Sequence, residues 1–416
     1  MNEKPSRFTP PVITLCVLAV ATALKAWWAL NSVGSMDVVV FWKFAQYLDH
    51  DSLKYMYETY VSFNHTPLTA MIVHGLRVVA LTTDPPETRV LVFASMLRFL
   101  SIFADIGLVA GLLHVRKLTG NPPWWAIYAF AASPVSLIIS GFHGNMDPVM
   151  VMFMFLAGVA VLHERPALSG VLLAIAFNIK IVPIVLVPAF FFYWLAKGRK
   201  QAAAFTVAVA AGFFLGAAVP LVQCPHAYIS HVLGYGSVWG AWGLTYWLRL
   251  TGMPDLQIVD FRNLSAHQNA VMAVLKLIIV GTVTVIAWKR RNKGGNEFFA
   301  TLGMIWTVVF VFAPGGAVQY MPWFAPFILM LSPRWWAALT AASTVVLVVY
   351  YHPNAKWQFP WDLAQASDDR WIPWTNLPWA VFLGIGIYVA RKAWMESRVT
   401  EPAVTLPVEE AESAAA

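Results

Sequence analysis

Six residues able to do chemistry stand at the edges of apolar runs: Asp37, His65, His143, Asn145, Asp147 and Lys180. Three of them share the hexapeptide Phe142-His143-Gly144-Asn145-Met146-Asp147, set between two hydrophobic stretches. A carboxylate can hold or take a proton, a lysine presents a point charge to an anion such as phosphate, and imidazole and carboxamide groups bond hydroxyls. Ionisable groups are expensive to keep near a bilayer, and a reaction or a substrate is the usual reason for keeping them. Four of them also have a plainer explanation. Asp37 could cap a helix, Asp147-Pro148 could start one, Lys180 could extend its amine to the membrane surface, and His65 could satisfy its own loop. Capping accounts for Asp147 but not for His143 and Asn145 in the same turn.

The elements that must position these residues are membrane helices. Of 416 residues 59% are hydrophobic and 12% charged, with a mean hydropathy of +0.63, outside the range of soluble domains. Runs approaching the ~20 residues of a spanning helix occur at 11–30, 90–114, 124–140, 148–163, 167–179, 182–196, 202–222, 270–288, 298–313, 322–331, 335–351 and 377–390. The sequence thus predicts an all-α integral membrane protein of about twelve spans. Two pairs are short enough to be broken or tilted helices around a cavity. The run 67–81 carries His74 and Arg77 and reads as an interfacial or re-entrant helix in the first outer loop, 31–89.

With that assignment sixteen of the 28 Lys and Arg fall in short segments on one side, the cytoplasmic side by charge bias. Both termini are then cytoplasmic, residues 1–10 lead into an uncleaved first span, and 391–416 is expected to be a disordered tail. The long connections, 31–89, 223–269 and 352–376, lie outside. Asp37, His65, His143, Asn145, Asp147, Lys180, His231 and Gln319 fall on that outer side. The two cysteines, Cys16 and Cys224, make no disulfide framework. The +7 charge is spread over short inter-span turns, which argues against nucleic acid as a partner. No cytoplasmic loop is long enough for a nucleotide-binding domain, and no Walker or dinucleotide-binding turn is present. An outward-facing membrane enzyme without a nucleotide site needs its activated group delivered on a lipid.

Here the chain resembles the GT-C glycosyltransferases, which take sugars from polyprenyl-phosphate donors on the extracytoplasmic side. Met36-Asp37-Val38-Val39-Val40-Phe41-Trp42 looks like the acidic opening of the first outer loop in bacterial polyprenol-phosphate-mannose transferases and the GPI mannosyltransferase catalytic subunit. Phe63-Asn64-His65-Thr66-Pro67-Leu68 looks like the entry to their interfacial helix. The stretch 142–148 stands where many bacterial members carry G-Q-x-D or G-Q-x-N, and 167–180, ending at Lys180, is similar to the segment that follows. The resemblance is good over 11–200 and loose beyond, so 11–222 reads as a GT-C-like module and 223–390 as a variable one. It implies a bacterial inner-membrane hexosyltransferase, mannose foremost, with a lipid-linked or envelope acceptor and surrounding lipid as partners.

By the same resemblance Asp37 is the base and His65 and Lys180 lie near the donor phosphate, while His143, Asn145 and Asp147 hold sugar or acceptor. Gln319 and Tyr320, in the breaker-rich turn 314–320, would line the donor groove, and Arg249 and Arg262 are further candidates for phosphate. No cofactor is implied. Val39 replaces the second acid of the GPI enzyme's D-x-D, which weakens a metal requirement, although Asp49-His50-Asp51 offers a second D-x-D pattern or a polar helix end. The aromatic stretch 234–243 could stack on sugars or anchor its loop, the second being favoured. A secondary transporter or flippase is the alternative in another class. It would place charges near midplane on several helices, whereas these gather at one face.

Overall fold

The computed structural model describes residues 10–50, 52–60, 63–234, 237–257, 264–355 and 369–399. Arg262, Asp51, Tyr235, Gly236 and the tail after Val399 lie outside the described residues, as does most of the connection 352–376. The described residues are helical, with a single isolated bridge between Trp239 and Gly315.

The chain opens with α1 (Pro10–Asn31), followed by three helices that form the first loop: α2 (Met36–His50), α3 (Leu53–Thr59) and α4 (Pro67–Leu81). The helix α5 (Arg89–Thr119) returns through the bundle and stops at Gly120, the expected left-handed terminator after basic Arg116 and Lys117. Next come α6 (Trp124–Ala131) and α7 (Pro134–Ile138), broken at Ser133-Pro134 and continued by a π-helical turn, Ile139–His143. The helices α8 (Asp147–Leu162), α9 (Pro166–Ile179) and α10 (Val187–Lys197) follow, α9 packing on α8. Then α11 (Arg199–Gln223) leads to short α12 (Pro225–Tyr228), α13 (Gly243–Arg249) and α14 (Pro254–Gln257). The last elements are α15 (Ala266–Lys289), α16 (Asn296–Phe312), α17 (Ala325–Leu331), α18 (Pro333–Ala355) and α19 (Asn376–Val399).

Seven of these segments are long and apolar enough to cross a membrane, and five more are shorter apolar helices. Every run read from the sequence contains a helix, while the count of twelve crossings goes beyond what length and composition support among the described residues. The run 322–331 is the sharpest difference. It forms only the seven residues of α17, about 10 Å of helix, because Pro322 and Pro326 confine the regular hydrogen bonding to its end. α4, the helix assigned to the loop, packs on α2, α5 and α9.

Two buried polar links organise the packing. The Lys25 ammonium on α1 donates to Asp105 Oδ2 of α5 at 2.7 Å and to Ser136 Oγ of α7 at 2.6 Å, while Ser136 also donates to Asp105. Arg98 on α5, fully buried, donates to the Ala94 carbonyl, to Ser32 Oγ at 2.8 Å, to the Ser32 carbonyl and to the Phe142 carbonyl at 3.4 Å. Ser95, Arg98, Ser101 and Asp105 lie three or four residues apart, so they share one inward stripe of an otherwise apolar helix. Breaking a buried pair leaves a lone charge at a cost of about 3–5 kcal/mol, while replacing both partners by apolar groups is far milder. Lys25→Met is therefore expected to lower the apparent melting temperature in detergent sharply, and Lys25→Met/Asp105→Leu to recover most of the loss.

Candidate active site

Chain direction brings one set of helix ends together: the C-terminus of α1, the N-terminus of α5, the π turn, the N-terminus of α8, the C-terminus of α9 and the C-terminus of α18. The basic turns at Arg116-Lys117, Lys197–Lys200 and Lys289–Lys293 lie at the other ends of their helices. At the first end is a cavity of about 110 Å³ lined by Asp37, Val40, Phe41, Phe44, Asn64, His65, Asn145, Asp147, Lys180, Gln319 and Tyr320. Of the site residues named from the sequence, Asp37, His65, Asn145, Asp147, Lys180, Gln319 and Tyr320 line it. His143 sits directly behind Asp37.

Asp37 is in the first turn of α2, and the chain reaches it through Gly34, whose φ of +93° an L side chain rarely adopts. A Cβ at Gly34 would run into the Phe142 carbonyl, and one at Gly144 (φ +80°) would come within 2.6 Å of Val38. These two glycines let segments 32–37 and 142–147 lie against each other. Ser35 then donates to the His143 carbonyl through both its amide (3.2 Å) and its hydroxyl (2.8 Å), and His143 Nε2 meets Asp37 Oδ2 at 2.9 Å. The His143 Nδ1 is hydrogen-bonded to the Tyr351 hydroxyl. Asp37 still exposes 36% of its side chain. Burial pushes this carboxyl up, but the adjacent His143, and Lys180 beyond it, outweigh that and hold it below the ordinary carboxylate range.

Asp147, at the start of α8, is fully engaged. Lys180 Nζ lies 3.2 and 3.3 Å from its two oxygens, and the Trp323 indole donates to Oδ2 at 2.8 Å. The Lys180 ammonium also lies 4.8 Å from the ring centres of Tyr320 and Trp323, which stack at 3.9 Å. Lys180 follows α9, whose last carbonyls, on Asn178 and Ile179, accept hydrogen bonds from Thr66 and Thr69. This ties the His65 loop to the lysine. Burial, with Lys180 adding to it, pushes His65 down to about 3, so the ring is neutral at neutral pH. Its Nδ1 is buried without a hydrogen-bond partner, and so is Nδ2 of Asn145, which is only 3% exposed. The Asn145 Oδ1 accepts from the Asp147 amide at 3.2 Å, which fixes the amide's orientation and leaves the NH₂ for the cavity.

Several sequence expectations resolve differently. Asp49 pairs with Arg77 and lies 3.2 Å from His74, so it clasps α2 to α4. Among the described residues no group of three or more His, Cys, Asp or Glu is placed to hold a metal ion. Trp239 and Trp242 are fully buried and donate to the carbonyls of Leu256 and Phe310. The aromatic stretch thus anchors its loop, in the protein core rather than at a membrane surface. Its Ser237 donates to the Tyr320 hydroxyl at 3.2 Å, which supports the late turn. Arg249 and His231 do not line the cavity. Sequence reasoning missed Arg98, Trp323 and Tyr351. The polar stripe along α5 was a readable signal for the first, but nothing local marked the other two among so many aromatic residues.

Residues 75–314 match glycosyltransferase family 87, a span of more than half the chain. The chain belongs to this family of GT-C-type membrane glycosyltransferases. No curated protein matches it. A family 87 member transfers a sugar from a donor to an acceptor, which sets aside the transporter reading. The matched region contains His143, Asn145, Asp147 and Lys180 but stops short of Asp37 and His65 on one side and of Gln319, Tyr320 and Tyr351 on the other. In the family 87 protein the cavity is therefore assembled from matched and unmatched segments alike.

Gly34→Ala tests the loop-on-loop contact. It should lower thermal stability by about 1–3 kcal/mol from backbone strain alone, more with the carbonyl clash. Gly75→Ala, in mid-helix of α4 with open space around it, should be neutral or raise stability by about 0.5–1 kcal/mol.

Proposed function

We propose that this family 87 protein moves a hexose, mannose foremost, from a polyprenyl-phosphate donor to a lipid-linked or envelope acceptor on the outer face of a bacterial cytoplasmic membrane, inverting the anomeric carbon. The observation that carries the reading is that a carboxylate held ionised, Asp37, and a lysine, Lys180, face one cavity at the end opposite the basic turns. A single-step transfer needs these two functions, a proton acceptor and a partner for the phosphate leaving group.

In this mechanism Asp37 takes the acceptor hydroxyl's proton as the acceptor oxygen bonds to C1 of the sugar. The bond from C1 to the donor phosphate breaks, and its electron pair leaves on the phosphate oxygen beside Lys180. Asp147 and Trp323 hold Lys180 at the cavity wall. The lysine is a point charge already shared with one carboxylate, which suits a monophosphate better than a diphosphate. Asn145 and His65 contribute differently. A neutral imidazole with an unpartnered ring nitrogen offers a hydrogen bond without charge, and the Asn145 NH₂ donates one. Together they suit sugar or acceptor hydroxyls, and His65 is in this respect better fitted to a hydroxyl than to the phosphate. Gln319 and Tyr320 complete the wall on the donor side.

Asp37→Asn preserves shape and removes the base. In nanodiscs supplied with polyprenyl-phosphate-mannose and total membrane lipid, its release of polyprenyl phosphate should fall about 10²–10⁴-fold below wild type. A normally folded Asp37→Asn protein with full activity would overturn the mechanism. Because burial and Lys180 keep His65 neutral while Asp37 stays ionised down to below the ordinary carboxylate range, wild-type turnover should be flat from neutral pH into the acid range. It should fall only when Asp37 protonates. A His65 that titrated in turnover near its usual value would contradict this.

A further inference from the structure

The Asp37 carboxylate is gripped by residue 143 from two directions. The His143 carbonyl holds Ser35, whose hydroxyl also accepts from the Asp37 amide at 3.2 Å. The His143 ring meets Asp37 Oδ2. The ring does not line the cavity and is nearly fully buried, so it is in no position to hold a sugar. What aims it is the π-helical turn Ile139–His143, closed by left-handed Gly144, since the extra residue of such a turn redirects a side chain that a regular helix would point elsewhere. The ring's other nitrogen is bonded to the Tyr351 hydroxyl near the outer end of α18. Tyr351 is 2% exposed, and its ring meets Phe142 edge-on at 5.2 Å.

We propose that His143, oriented by Tyr351, is a positioning residue that holds the Asp37 carboxylate in its proton-accepting orientation and ties it to the C-terminal half of the protein. This rests on the reading of Asp37 as the base. An ionised carboxylate only accepts hydrogen bonds, so His143 Nε2 carries the hydrogen, and in a neutral ring Nδ1 then accepts from the Tyr351 hydroxyl. Tyr351 thereby selects the tautomer. His143 keeps its Nε2 hydrogen throughout the transfer. The acceptor's proton goes to the other oxygen of Asp37, the one turned to the cavity.

The charged and titratable groups facing this pair are Lys180, Asp147 and His65 across the cavity, Arg98 behind the Phe142 carbonyl, and Tyr350 beside Tyr351. The contact with Asp37 itself is made by His143, at 2.9 Å. Removing it or its orientation should let burial dominate and raise the pH at which Asp37 protonates.

The full chain in nanodiscs tests this with His143→Gln, His143→Phe and Tyr351→Phe. The infrared carboxyl band absent from Asp37→Asn is titrated against pH, and turnover of polyprenyl-phosphate-mannose is measured across the same range. Tyr351→Phe and His143→Phe should move the Asp37 midpoint upward and lower kcat about 10–100-fold, the acid limb of kcat following the infrared midpoint with little change in KM. His143→Gln, which keeps an N–H donor, should recover much of both. An infrared midpoint unmoved in Tyr351→Phe and His143→Phe would overturn the proposal whatever the activity. If the midpoints move as expected while wild type turns over no polyprenyl-phosphate sugar, the positioning role stands and the assignment of Asp37 as the base in that reaction fails.

Discussion

The site depends on one buried guanidinium. Arg98 reaches from the third turn of α5 to the carbonyl and hydroxyl of Ser32 and to the carbonyl of Phe142, fully buried. A bare arginine in an apolar bundle would be prohibitive, so the chain must bring it oxygen acceptors. The two segments that do so are the ones that carry Asp37 and His143. Satisfying Arg98 and assembling the carboxylate–imidazole pair use the same two segments. Gly34 and Gly144 serve the same end, since side chains there would hold the two segments apart.

The charges around the cavity are balanced in the same way. Asp147 and Lys180 compensate each other under the Tyr320–Trp323 stack, and Asp37 is held by His143 rather than by a fixed cation. A phosphate beside Lys180 would therefore meet an ammonium already oriented, and an acceptor hydroxyl beside Asp37 would meet a carboxylate already ionised. Preorganisation of this kind contributes to catalysis because the groups need not rearrange as charge develops. Family membership covers the central part of the site. The first-loop acid and the Tyr351 contact join it through geometry alone.

Much of this was legible in the sequence because polar residues are conspicuous in an apolar chain. Asp37, His65, Asn145, Asp147 and Lys180 converge on one cavity, as their position at one end of successive runs implied. The placement of His143 was not legible. The π turn that rotates it behind Asp37 leaves no mark in hydrophobic periodicity. Tyr351 and Trp323 were hidden for another reason, since their hydroxyl and indole N–H matter only through partners far away in the chain. Span counting was weakest where prolines segment a run, as at α17, whose seven regular residues fall well short of the length of a spanning helix.

The most direct test of the account is a cryo-electron microscopy structure of the full chain in nanodiscs with polyprenyl phosphate, the proposed product. The phosphate is expected within hydrogen-bond reach of Lys180, with Asp37 across the same cavity and no lipid phosphate at the end of the bundle that carries Arg116 and Lys117. Phosphate bound among those basic turns, with the Asp37 cavity unaltered, would contradict it.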